Sequence, residues 1–266
     1  DLLPEQCPED TSGALIRFEN VTFSYGGAPA LQDISFSMRK GESLGVIGAT
    51  GSGKSTLVSL LLRFYDATEG AVYVDGKNVK SYEKAELCKK FGIVFQNDFL
   101  MASSVRDNID FERGLSDEDV GQAAEYARAA DFIREHEGYG GMLTARGGNY
   151  SGGQKQRLLI ARALAAKPEI LILDDSSSAL DYRTDASLRK TLLENLSETA
   201  VVMIAQRISS VRFADHILVL DGGKMVGFGT DEQLMRTCET YRRIYRSQHD
   251  DEIIGKGGEP YAGAGA

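Results

Sequence analysis

The chain reads as an α/β protein: a parallel-sheet core built around a phosphate-binding loop, with an antiparallel β subdomain on its N-terminal side and an inserted α-helical subdomain. Three observations predict this. The stretch Gly48 to Thr56, GATGSGKST, matches G-x-x-x-x-G-K-[ST] and lies between an apolar run, Ser43 to Ile47, and a helix-compatible run, Leu57 to Phe64. The run EILILDD, ending in Asp174 and Asp175, is continuously apolar before its carboxylates, as strands buried on both faces of a parallel sheet are. Between the two, from about Asn97 to Lys167, the pattern turns helical.

Taken in order, residues 1–14 form a linker and LIRFENVTFSY, residues 15–25, alternates as a strand does. GGAP turns the chain into a second strand, LQDISFSM, and Lys40-Gly41 turns it again before the phosphate loop. A strand pair follows around AVYVDGKNV with Asp75-Gly76 at its turn, then a strand FGIVFQ ending at Gln96. In the helical lobe, Ser116 and Asp119 are spaced as a capping box opening DEDVGQAAEYARAAD. Pro168 stops that lobe, and EILILDD resumes the core. The helix ASLRKTLLENL places Leu188, Leu192 and Leu196 on one face, TAVVMIAQ is the next strand, and a short helical stretch begins near Ser209. HILVLDGGKMVGFGT reads as a hairpin and DEQLMRTCETYRRIYRSQ as one terminal helix, leaving 249–266 as a tail outside the fold.

Composition bounds the function. With 266 residues and 42% hydrophobic content the chain can bury a sizeable core. A formal charge of -9 without a basic cluster argues against a nucleic-acid partner. Cys7, Cys88 and Cys238 are odd in number and far apart, which suits reduced thiols and gives no metal pattern. No apolar run reaches the roughly 18 residues needed to cross a bilayer. The absence of a starting methionine and the low-complexity end GEPYAGAGA lead us to expect a domain of a longer protein.

The loop residues Gly48, Ala49, Thr50, Gly51, Ser52, Gly53, Lys54, Ser55 and Thr56 carry the first chemistry. Glycines let successive N–H groups face phosphate oxygens, and the helix opening near Lys54 adds its positive end. Lys54 is expected to reach the terminal phosphates of a nucleoside triphosphate and Ser55 to ligate Mg2+. Asp174, at the end of an apolar strand, suits the other side of that magnesium site, although Asp-Asp there also suits a cap for the next helix. Ser151, Gly152, Gly153 and Gln154 stand before KQRLLIARALAAK as a second anion-binding helix start. Two such ends on one chain are economically explained by two domains pairing head to tail, each offering its Ser-Gly-Gly helix to nucleotide on the other.

In their order and spacing these motifs resemble the nucleotide-binding domain of ATP-binding cassette (ABC) transporters, over nearly everything from Leu15 to Gln248. The resemblance implies the ABC ATPase fold, a P-loop NTPase core with the two subdomains. It implies that Tyr25 stacks on adenine, that Gln96 is the Q-loop glutamine of the metal site, and that Ser178, Ala179, Leu180 and Asp181 form the D-loop; Asp181 also suits a helix cap. NDFLMASSVRDNI and HILVLDGGKMVGFGT are similar to exporter cassettes, which implies a transmembrane domain, fused on the N-terminal side, and a place at the cytoplasmic membrane face.

Three departures from that family stand out. Asp175 occupies the position of the catalytic glutamate, one methylene short, and Gln206 aligns with the switch histidine and lacks an imidazolium charge. A misplacement of about 1 Å can cost on the order of a hundredfold in rate, so hydrolysis should suffer while binding need not. Ala145, before Arg146-Gly147, replaces a frequent glutamate. With Ser151 to Gln154 intact, the chain resembles the degenerate-site half of a heterodimeric exporter that completes a different partner's site. The readings are therefore a weak ATPase motor, a regulatory ATP-binding clamp, or a soluble ABC protein outside transport.

Overall fold

The computed structural model describes residues 2–175 and 179–256, and among them ten strands form one curled sheet. In chain order the strands are β1 (Ile16–Phe23), β2 (Leu31–Met38), β3 (Ser43–Ile47), β4 (Glu69–Val74), β5 (Lys77–Asn78), β6 (Phe91–Val94), β7 (Ile170–Asp174), β8 (Ala200–Ala205), β9 (His216–Asp221) and β10 (Lys224–Gly229). Across the sheet they run β5-β4-β1-β2-β10-β9-β3-β8-β7-β6. The β9-β3-β8-β7-β6 portion is parallel, whereas β1 pairs antiparallel with β2 and with β4. A single parallel pairing, Lys224 with Gln32, joins the two portions.

Why the core strands are apolar throughout follows from their two faces. Along β7, Leu171 and Leu173 enter one hydrophobic cluster, while Ile170 and Ile172 enter the other. β8 alternates likewise, with Val201 and Met203 on one side and Val202 and Ile204 on the other. A period of two that is apolar at both phases puts a strand between two packed layers. One layer holds α1 (Lys54–Leu61) and the β1-β2-β4 meander. The other holds α6 (Gly152–Ala165), α7 (Tyr182–Asn195) and the helical lobe of α3 (Val105–Asp110), α4 (Asp117–Tyr126) and α5 (Ala130–Glu135). The short α2 (Lys84–Lys89) leads into β6.

Several expectations shift. β6 ends at Val94, so Gln96 stands beyond the strand, and the first lobe helix begins at Val105 rather than near Asn97. Ser116 does cap α4, accepting from Asp119 N–H. The Asp119 carboxylate accepts from the Ser116 hydroxyl at 2.7 Å and pairs with Lys167. The terminal helix is two: α8 (Asp231–Thr237) and α9 (Glu239–Lys256), separated by Cys238 in extended conformation. Cys238 is buried against β10, and its Sγ sits 3.6 Å from Val226 O, so the break between the helices is fixed by packing. Residues 2–14 run along the β layer, where Glu5 and Asp10 N–H donate to the carbonyls of Lys80 and Gly76.

The strand that launches the phosphate loop is pinned at its start. Ser43 donates from both N–H (2.8 Å) and Oγ (2.6 Å) to the Asp215 carboxylate, and Asp215 N–H donates back to Ser43 Oγ. These bonds hold β3 against β9 and thereby fix where Gly48 emerges.

Candidate functional site

The loop between β3 and α1 wraps tightly because of two glycines. A Cβ on Gly48 would stand 2.3 Å from Leu220 O and 2.5 Å from Ser52 Oγ. At Gly53 the backbone has φ 105°, and a Cβ there would meet Leu31 Cδ2 at 2.6 Å. Gly53 is the N-cap of α1 and brings no side-chain cap, so the first-turn N–H groups of that helix are not engaged by a capping side chain. Lys54 Nζ folds back onto the loop, donating to Gly48 O at 2.7 Å and Ala49 O at 2.9 Å.

Around this loop lies a cleft of about 370 Å³, lined among others by Tyr25, Thr50, Gly51, Lys54, Ser55, Thr56, Gln96, Asp174, Asp175 and Gln206. Residues expected from five separate stretches of sequence therefore share one surface. Burial lowers the Lys54 ammonium from its ordinary pKa, opposed by the charges of Asp174 and Asp175. Asp174 is raised, first by burial and then by Asp175, with Lys54 opposing. A phosphate-bearing, cation-assisted ligand would answer both imbalances. The hydroxyl of Ser55, the amide oxygen of Gln96 and the carboxylate of Asp174 are oxygen donors on the same cleft, a set that suits magnesium.

Asp175 sits just past β7 with φ 47°, a left-handed conformation that aspartate tolerates better than most residues. Two amides reach its Oδ2: Gln206 Nε2 at 3.3 Å and Gln96 Nε2 at 3.5 Å. Of the three departures, Asp175 and Gln206 thus contact each other directly. At the other end Tyr25 is 58% exposed, and its hydroxyl lies 3.3 Å from Thr56 Oγ1. Phe23 and Tyr65 meet its ring edge-on, at centroid distances of 4.7 and 5.2 Å. Tyr65 escaped the sequence reading because nothing local to RFYD links it to residue 25.

Ser151, Gly152, Gly153 and Gln154 are not part of this cleft. They open α6 as a reciprocal capping box, with Gln154 N–H donating to Ser151 Oγ and Ser151 N–H to Gln154 Oε1. A Cβ on Gly153 would meet Ala179 O at 3.4 Å, so the helix start packs against the segment after β7. Tyr150, just before it, is buried and stacks on His136. Asp181 caps α7 through the N–H groups of Arg183 and Thr184, while Ser178 lies outside the described residues. Among the described residues no helix is long and apolar enough to cross a membrane.

Comparison with known proteins agrees with this architecture. A family model described as ABC transporter matches residues 31–178. An uncharacterised ABC transporter ATP-binding protein of Mycobacterium tuberculosis (strain H37Rv) is 40% identical over 254 residues, covering 93% of this chain and 44% of that protein. The ATP-dependent lipid A-core flippase of Photobacterium profundum is 39% identical over 241 residues, covering 89% and 41% respectively. The solved structure of a bacterial Atm1-family ABC exporter with ATP bound matches with a TM-score of 0.84 and 32% identity, over 98% of this chain and 44% of that one. The chain spans less than half the length of these relatives. Matched by the family model over more than half its own length, and superposing on that exporter across nearly all of its residues, the chain belongs to the ABC transporter family and has its ABC ATPase fold.

Proposed function

We propose that this chain is the ATP-binding and ATP-hydrolysing motor domain of an ABC exporter, with its own catalytic site impaired. In this reading it acts at the cytoplasmic face of the membrane, joined to a transmembrane domain on its N-terminal side. It pairs head to tail with a second, different nucleotide-binding domain. The observation that carries the reading is the Asp175 carboxylate at the Lys54 end of the cleft, bridged by the amides of Gln96 and Gln206.

The roles follow from position. The loop N–H groups and Lys54 grip the phosphates, and Lys54 exchanges its two loop carbonyls for phosphate oxygens. Tyr25 stacks on the base, steadied by Phe23 and Tyr65. Ser55, Gln96 and Asp174 would hold magnesium, which would neutralise phosphate charge when bound. Asp175 orients the attacking water from a side chain one methylene shorter than glutamate, and Gln206 offers the γ-phosphate a neutral amide in place of a cationic ring. Ser151 to Gln154, outside the chain's own cleft, are offered to nucleotide on the partner.

A second reading, a regulatory clamp that binds ATP with little turnover of its own, is favoured by the same Asp175 and Gln206. Single-turnover hydrolysis with and without a partner cassette competent at the catalytic site separates the two, and the chain alone is also titrated with MgATP. Tight binding with slow cleavage is expected, slowed further by Asp175→Asn. Fast cleavage that Asp175→Asn leaves unchanged would sink the impaired-site account.

A further inference from the structure

The segment that carries Gln206 is held by two helices. From α7, Arg189, itself paired with Asp185, donates from Nη1 to Ser209 O at 3.0 Å. From α9, Gln248 grips the same segment with both ends of its amide. Its Nε2 donates to Gln206 O at 2.7 Å, and its Oε1 accepts from Ile208 N–H at 2.9 Å. Satisfying a carbonyl and an N–H two residues apart is what a neighbouring β-strand would do, so one side chain fixes the backbone on both sides of Arg207. A carboxamide supplies both partners from one planar group, whereas a carboxylate lacks the donor and an ammonium lacks the acceptor.

The helix that presents Gln248 is itself anchored in the body of the domain. Tyr241 is fully buried, and its hydroxyl donates to Asp231 at 2.6 Å. Arg243 pairs with Asp221 at the end of β9, and the Thr240 hydroxyl reaches the same carboxylate. Gln248 therefore arrives from a fixed direction. Downstream of its grip, the Gln206 side chain turns toward the Asp175 carboxylate at 3.3 Å.

We propose that Gln248 is a positioning residue for hydrolysis: by locking the backbone at Gln206 and Ile208 it aims the Gln206 amide at Asp175 and the γ-phosphate end of the cleft. This rests on the reading of Asp175 and Gln206 as the hydrolytic end of the site. α9, none of whose described residues lines the nucleotide cleft, then controls cleavage without contributing to nucleotide affinity.

The test uses the whole chain as wild type, Gln248→Ala and Gln248→Glu, each with and without Gln206→Ala. MgATP affinity, the single-turnover rate and amide hydrogen exchange at Ile208 are measured on each. Gln248→Ala is expected to slow cleavage about tenfold, as misaiming a catalytic group by a fraction of an ångström does, with MgATP affinity within about twofold. Exchange at Ile208 should accelerate in Gln248→Ala and stay slow in Gln248→Glu, whose carboxylate still accepts that bond while cleavage falls. In the Gln206→Ala background, Gln248→Ala should cost nothing further, because the two act in series. Independent multiplying losses in that background, or affinity falling in step with rate, would overturn the inference. Wild type that binds MgATP and never cleaves it overturns the hydrolytic reading as well. Wild type that cleaves at a rate Gln248→Ala does not alter overturns the positioning role alone.

Discussion

Two helices of this chain begin with glycine-rich turns, and they are finished in opposite ways. α1 starts at Gly53 with no side-chain cap, its first turn facing a cleft that also holds Lys54, Asp174 and Asp175. α6 starts at Ser151 with a complete capping box and does not line that cleft. A helix end without a capping side chain relies on water or a ligand for its N–H groups, whereas a capped one is stable by itself. The contrast suggests that the first end is completed by nucleotide within the chain, and that the second is a finished surface held ready for another molecule.

The largest expected effect breaks the first end. Lys54→Ala should weaken MgATP binding by about a hundredfold or more, since removing a charge-assisted contact to phosphate leaves the remaining charges unbalanced. Equilibrium titration with the fold monitored by circular dichroism checks it. Next in size, Asp175→Glu should raise the single-turnover rate on the order of tenfold by restoring the missing methylene's reach, with ATP affinity little changed. Smaller again, Tyr25→Ala should cost roughly tenfold in ATP affinity, the worth of one base–aromatic stack, and leave affinity for inorganic tripolyphosphate unaltered.

At the second end the effect should fall on stability and spare the chain's own ATP site. Ser151→Ala should cost about 1 kcal/mol in denaturant unfolding through the lost cap, while MgATP affinity stays at the wild-type value. The last prediction concerns pH. Because burial and Asp175 raise the folded pKa of Asp174 above its unfolded value, the penalty for ionising it is fully present at neutral pH. It is relieved as pH falls through the folded value toward the ordinary carboxylate range. Asp174→Asn should therefore raise the melting temperature of the nucleotide-free chain at pH 7 and narrow the gain seen on mild acidification. Thermal melts between pH 5 and pH 7 measure both.

Much of the first end was legible in the sequence. The phosphate loop is a local motif whose glycines answer steric needs at Gly48 and Gly53, and the apolar run before Asp174 states that its strand is covered on both faces. What was not legible depends on distant partners. Asp119 also pairs with Lys167, far along the chain, a contact that its spacing from Ser116 does not announce. The break between α8 and α9 is set by Cys238 packing on β10, so a continuous helical pattern hid it. Tyr65 and Gln248 gain their meaning from Tyr25 and Gln206, each many residues away, and neither carries a local signal.

The claim that the two ends serve different nucleotides is tested most directly by complementation between two forms of the chain. One form carries Asp175→Glu, Gln206→His and Ser151→Phe, which repairs the cleft and blocks the α6 surface; the other is wild type. Alone, each should cleave ATP slowly, and mixed they should cleave several times faster than the sum, because the wild-type Ser151 surface closes over the repaired cleft. A mixture that only adds the separate rates, or a triple variant that is already fast alone, would contradict the account.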